Sequence, residues 1–102
     1  MPSFSITTQV YQWIKAGEKT TEIRKGKPRR GETITFLSGR KQTLKGIILI
    51  KREGKLEDVL NAGTYRMIVP TASNLDEALT FVKDIYPITD GSFTTYEFKL
   101  KE

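Results

Sequence analysis

Apolar residues recur along this chain at two spacings. Val10, Trp13 and Ile14 stand at i, i+3 and i+4, which is one face of a helix. Thr7 or Thr8 can cap its start, and Gly17 can end it in a left-handed turn. Before this helix, Phe4-Ser5-Ile6 reads as a short strand. After it, Lys19 to Arg24 reads as a strand rich in Thr and Ile. A Gly- and Pro-broken loop follows, Lys25 to Gly31. Glu32 to Leu37 alternates, with Ile34 and Phe36 on one face and Thr33 and Thr35 on the other, a half-buried strand. Ser38-Gly39-Arg40-Lys41 is a turn. Leu44 to Lys51 carries the run Ile47-Ile48-Leu49-Ile50, which suits a central strand covered on both sides.

In the second half, Leu56, Val59 and Leu60 mark a short helix ended by Gly63. Tyr65 to Val69 predicts a strand stopped by Pro70. Leu75, Ala78, Leu79, Val82, Ile85 and Tyr86 form the apolar face of a longer helix, capped by Ser73 or Asn74 and stopped by Pro87. Tyr96, Phe98 and Leu100 alternate with Thr95, Glu97 and Lys99 in a last strand. Five or six strands and about three helices, without a βαβ period or an internal repeat, predict an α+β fold: a small β-barrel with flanking helices.

The chain has 102 residues, enough for one domain spanning 1–102 and one core. Apolar residues make up 37% and charged residues 28%, a globular composition. No apolar run is long enough to cross a bilayer, and no N-terminal stretch resembles a signal peptide, so a cytoplasmic protein without a membrane partner is expected. Cys and His are both absent. That excludes a disulfide scaffold, thiolate catalysis, a Ser-His-Asp triad and the usual zinc sites. Gly-rich phosphate cradles and calcium-loop spacings are also missing, so no metal or cofactor is expected. The net charge of +5 favours anionic partners, RNA among them.

The densest polar segment is Gly17 to Arg24. Strand alternation puts Glu22 with Thr20 and Arg24 on one face, and Lys19 with Thr21 and Ile23 on the other. With Ile23 inward, Lys19 lies at the mouth of the barrel, where partial desolvation lowers its pKa and suits it to act as a base or donor. A solvated strand with a cross-strand ion pair is the competing reading. On a helical wheel at about 100° per residue, Glu77 borders the apolar face of the long helix. Asn74-x-x-Glu77 also fits a capping box. The basic loop, with Lys25, Lys27, Arg29 and Arg30 and the nearby Arg40 and Lys41, is a candidate for phosphate-backbone contact. Phe36 is its nearest aromatic residue in sequence, so no stacking platform is evident there.

Gly17-x-Lys19-x-x-Glu22-x-Arg24, followed by Gly31 before a strand, resembles the signature of ASCH domains of the PUA-like superfamily. Asp84-Ile85-Tyr86-Pro87 and the closing Tyr96-Glu97-Phe98-Lys99 resemble the small bacterial N4-acetylcytidine amidohydrolases. The likeness covers nearly the whole chain. It implies a compact PUA-like β-barrel and a cofactor-free amidohydrolase that cleaves the N4-acyl amide of acylated cytidine. The resemblance places a catalytic Lys on Lys19 and a catalytic Glu on Glu77. The family Thr falls on Glu22, where ASCH domains at large commonly carry Glu. With Glu22, water held between carboxylates and Lys19 is the natural nucleophile. Glu77 or Glu22 would take its proton, while Lys19 steadies the oxyanion or protonates N4. Arg24, Thr20 and Thr21 are the substrate-contact candidates. PUA-like domains often bind RNA, so an RNA-binding module, with or without ribonuclease activity, is the alternative.

Overall fold

The computed structural model describes residues 2–40 and 42–101. The elements run β1 (Ser3–Ser5), α1 (Thr8–Lys15), β2 (Thr21–Lys25), β3 (Thr33–Ser38), β4 (Gln42–Gly54), α2 (Leu56–Val59), α3 (Tyr65–Ile68), α4 (Leu75–Ile85) and β5 (Phe93–Leu100). The fold is α+β. The five strands form one mixed sheet in the order β1-β3-β4-β5-β2. Only β1 and β3 run parallel; the other pairs are antiparallel.

Local chemistry sets the main helix ends. The Thr7 hydroxyl accepts from Val10 N–H at the start of α1, and Gly17 leaves the helix at φ 79. A Cβ there would be strained, so glycine fits the turn. The Asn74 side chain accepts from Glu77 N–H at the start of α4. In β5, successive side chains alternate faces. Tyr96 and Phe98 join Phe4, Ile14, Ile34 and Phe36 in one buried cluster. Phe93, on the opposite face, joins Ile23, Leu56, Leu60, Ile68 and Val82 in a second. Helix α1 contributes Ile14 to the first cluster and Trp13 to the second.

Two segments differ from the sequence expectation. Tyr65 to Ile68 is a helical turn, not a strand, and it supplies a fourth helix. The Thr64 hydroxyl donates to Val59 O and accepts from Asn61 N–H, and Val69 N–H donates to Tyr65 O. These bonds curl the segment, and Ile68 and Val69 are buried in the second cluster, between α4 and the sheet, without joining the sheet as a strand. The run Ile47 to Ile50 is central in the sheet but is not covered on both sides. Ile47, Leu49 and Ile50 are 45%, 55% and 40% exposed. A bulge between Ile48 and Ile50 shifts the register against β5, and only Ile48 of the run packs against a core cluster. The Ser38 to Lys41 turn is seen up to Arg40; Lys41 lies outside the described residues.

Candidate functional site

The site is built where β2 begins. After Gly17 the chain is irregular: the amides of Glu18 and Lys19 both donate to Trp13 O. Strand alternation therefore does not govern Lys19, and it faces the same way as Glu22, contrary to the expectation. Its Nζ lies 3.3 Å from Glu22 Oε1 and donates to Ile68 O, at the end of α3, at 2.5 Å. Lys19 is 4% exposed and Glu22 5%. On the far side of the carboxylate, Arg24 Nη2 donates to Glu22 Oε2 at 3.0 Å.

These three groups form the polar end of a cavity of about 190 Å³. The rest is largely apolar. Ser5, Ile6 and Thr7 form one wall, with Val10 of α1. Ile68 and Val69 form another. Phe81, Val82 and Ile85 of α4, with Tyr86 just past its end, form a further wall. Ile85, counted with the buried helix face from sequence, is 58% exposed and sits at the cavity instead.

The low-polarity surroundings set the charges. Burial pushes the Lys19 ammonium below its ordinary pKa, and the nearby Glu22 charge recovers only part of that. Burial would raise the Glu22 carboxyl, but the positive charges of Lys19 and Arg24 outweigh it and hold the group below its usual range. The pair is thus an ionised carboxylate beside an ammonium that gives up its proton more easily than a surface lysine.

The other sequence candidates lie elsewhere. Glu77 does not line the cavity. It is exposed, and Oε1 accepts from Ser73 N–H at 2.8 Å while its own N–H donates to Asn74 Oδ1 at 2.9 Å. Asn74 caps as the sequence allowed, but the returning bond from the Glu77 carboxylate goes to Ser73 N–H, one residue before the Asn74 N–H that a capping box uses. Thr21 is buried in β2, paired opposite Glu97. Thr20 lines a separate open cleft with Lys15, Leu49 and Lys99. Neither Thr20 nor Thr21 lines the cavity that holds Glu22.

Half of the basic-loop candidates are bound internally. Lys25 Nζ donates to Ile88 O. Arg29 Nη1 donates to Ser3 O at 3.3 Å, and its backbone N–H donates to the Tyr96 hydroxyl at 3.0 Å. All four side chains, Lys25, Lys27, Arg29 and Arg30, are exposed. Sequence reasoning missed the aromatic partner here. Phe4 lies under two guanidiniums, 4.5 Å from Arg24 and 4.7 Å from Arg29. No local pattern links Phe4 to residues twenty and more positions later; the sheet brings them together. Arg24 therefore spends its donors on Glu22 and on Ser5 O rather than on open space.

Among the described residues, no group of three or more His, Cys, Asp or Glu side chains comes together to hold a metal ion. No helix among them is long and apolar enough to cross a membrane.

No family model and no curated protein matches this sequence. Solved structures do. The hypothetical protein PH0355 superposes with a TM-score of 0.76 at 14% identity, over 97% of this chain and 97% of that one. The ASCH protein from Zymomonas mobilis superposes with a TM-score of 0.69 at 16% identity, and the match covers 95% of this chain but 65% of that one. A single-site variant of the same Zymomonas protein gives a TM-score of 0.70. The chain therefore has the ASCH-type, PUA-like fold that its sequence signature led us to expect.

Proposed function

We propose that this protein is a metal-independent amidohydrolase that cleaves the N4-acyl amide of an acylated cytosine or cytidine. One observation carries the reading. A buried, ion-paired Lys19 and Glu22 form the polar end of an otherwise apolar cavity, at the Lys and Glu positions of the ASCH-like signature. A structural ion pair alone does not need a cavity beside it. The ASCH-type fold supports the family setting, and the sequence resemblance supports the reaction class.

The steps follow from the two side chains. The Lys19 ammonium donates to the acyl carbonyl oxygen, and the developing oxyanion stabilises against it. Glu22 takes a proton from water as the water oxygen bonds to the carbonyl carbon. When the C–N bond breaks, Lys19 gives its proton to N4, and the cytosine ring delocalises charge from that nitrogen. Glu22 then returns its proton to Lys19. The balance is one amide and one water consumed, one carboxylic acid and one free exocyclic amine formed. Lowering of the Lys19 pKa favours the transfer to N4. The cavity is smaller than the roughly 300–1,000 Å³ of sites for drug-sized ligands, so it takes the acylated edge of one ring while the ribose stays at the mouth.

The test is an absorbance assay of N4-acetylcytidine conversion to cytidine, with Lys19→Ala alongside. Wild-type turnover that falls at least a thousandfold in a folded Lys19→Ala protein is expected. An active Lys19→Ala protein, or an inert wild type, overturns the reading. RNA binding is the second outcome to look for, and affinity that weakens steeply with salt would mark it.

A further inference from the structure

We propose that Arg29, which does not line the cavity, is a positioning residue for Glu22, because it holds shut the seam between β1 and β2. This inference rests on the site described above, not on the reaction proposed for it.

Strand β1 has three residues and a sheet neighbour on one side only, β3. Thr35 N–H donates to Pro2 O across that pair. Carbonyls alternate sides along a strand, so those of Ser3 and Ser5 face away from β3, towards β2. No ladder reaches them. Arg29 Nη1 takes the first at 3.3 Å, and Arg24 Nη2 takes the second at 3.0 Å. Phe4, between them in sequence, is only 2% exposed although its strand is at the sheet edge. Both guanidiniums lie over its ring, and Tyr96 packs on it at 5.3 Å. Two side chains thus do the work of the missing strand pairing.

The seam reaches the site through one atom. Arg24 Nη2 donates to Ser5 O and to Glu22 Oε2, both at 3.0 Å. The position of β1 therefore sets where that nitrogen sits, and the nitrogen sets the orientation of the carboxylate against Lys19. Arg29 is well anchored for this role: its N–H donates to Tyr96, and its carbonyl accepts from Lys51 Nζ at 2.6 Å. Without the Arg29 guanidinium, Ser3 O loses its partner and Phe4 one cover, β1 is held across the seam by Arg24 alone, and Ser5 O is free to shift and carry Arg24 Nη2 with it. Lys19 and Arg24 are the charged groups against Glu22, with Tyr86, just past α4, on the cavity wall and Tyr96 opposite Glu22 in β5.

The experiment is NMR on the free protein, comparing wild type, Arg29→Met and Arg29→Lys. The readouts are the Glu22 carboxyl carbon resonance and the Arg24 Nη signals, which stay resolved while bound to two acceptors. In Arg29→Met the Glu22 resonance should shift and the separate Arg24 signals should collapse, while the amides of α2 stay in place. Arg29→Lys keeps a cation near Ser3 O and should recover part of the shift. Unmoved Glu22 and Arg24 signals in folded Arg29→Met overturn the proposal, as does an Arg29→Lys protein with no recovery. Should Arg29→Met not fold, Phe4→Leu removes the ring that the two guanidiniums share, and the same shift is expected; no shift overturns the proposal. None of these readouts needs a substrate. Absent hydrolysis by the wild type would remove the proposed reaction and leave this inference standing, and unmoved signals would do the reverse.

Discussion

Replacing Glu22 with Gln keeps the shape of the buried side chain and removes its charge. At 3.3 Å, with an effective dielectric constant of about 20, the lost attraction to Lys19 is about 5 kcal/mol. Lys19 is 4% exposed, so water cannot replace it. Two effects reduce the cost. The Gln carbonyl still accepts a hydrogen bond, worth about 1 kcal/mol, and Lys19 can shed its proton. Broken buried pairs typically cost ~3–5 kcal/mol, so about 3 kcal/mol is expected here. Against a domain stability of roughly 5–15 kcal/mol this is a large fraction. Urea unfolding followed by the fluorescence of Trp13, the one tryptophan and 6% exposed, reads it directly. The deficit should depend on pH with a definite sign. Without Glu22, desolvation of Lys19 is opposed by less, so its folded pKa drops further below the ordinary 10.5. The unfolded chain then binds more protons than the folded one above the folded pKa, and stability rises with pH. The deficit should therefore shrink between pH 7 and the ordinary lysine value. A loss under about 1 kcal/mol, or a deficit that grows with pH, would refute the view that Lys19 and Glu22 are a desolvated pair.

Four further outcomes are expected. Asn74→Ala should cost about 1 kcal/mol by removing the α4 cap, while Glu77→Gln should retain most hydrolysis; loss of turnover in Glu77→Gln without unfolding would return that carboxylate to the chemistry. Gly46→Ala places a Cβ 2.8 Å from Lys99 O and 3.4 Å from Ile34 Cγ2, so a loss of about 1–3 kcal/mol in urea unfolding is expected from overpacking between β4 and β5. In the wild type, the depressed Glu22 pKa contributes stability above the ordinary carboxylate value of 4.5 and loses it as pH falls through the folded value; in Glu22→Gln that part of the acid limb should be missing from a pH series of melting temperatures.

Polar residues that bond within a few positions of themselves were legible in the chain. Thr7 and Asn74 cap helices because their side chains reach an N–H three residues on, and Gly17 turns left-handed because nothing beyond its own backbone decides that. The alternation of Tyr96 and Phe98 with Glu97 and Lys99 places one face of β5 inside for the same reason: period two is a property of the strand itself. The segment Gly17 to Arg24 stood out as a candidate from its polar residues alone, although strand alternation put Lys19 and Glu22 on opposite faces. What lay beyond the sequence depended on partners distant along the chain. Ile68 and Val69 read as strand residues, yet the Asn61 and Thr64 bonds curled them into a helical turn whose last carbonyl receives Lys19. Ile47 to Ile50 read as doubly covered, but burial needs a second layer, and the helices pack elsewhere. The shared direction of Lys19 and Glu22, the removal of Glu77 from the cavity, and the meeting of Phe4 with Arg24 and Arg29 were decided by the folded sheet. Short-range geometry is written in a few adjacent residues; which groups lose their water together is settled only when the whole chain closes around them.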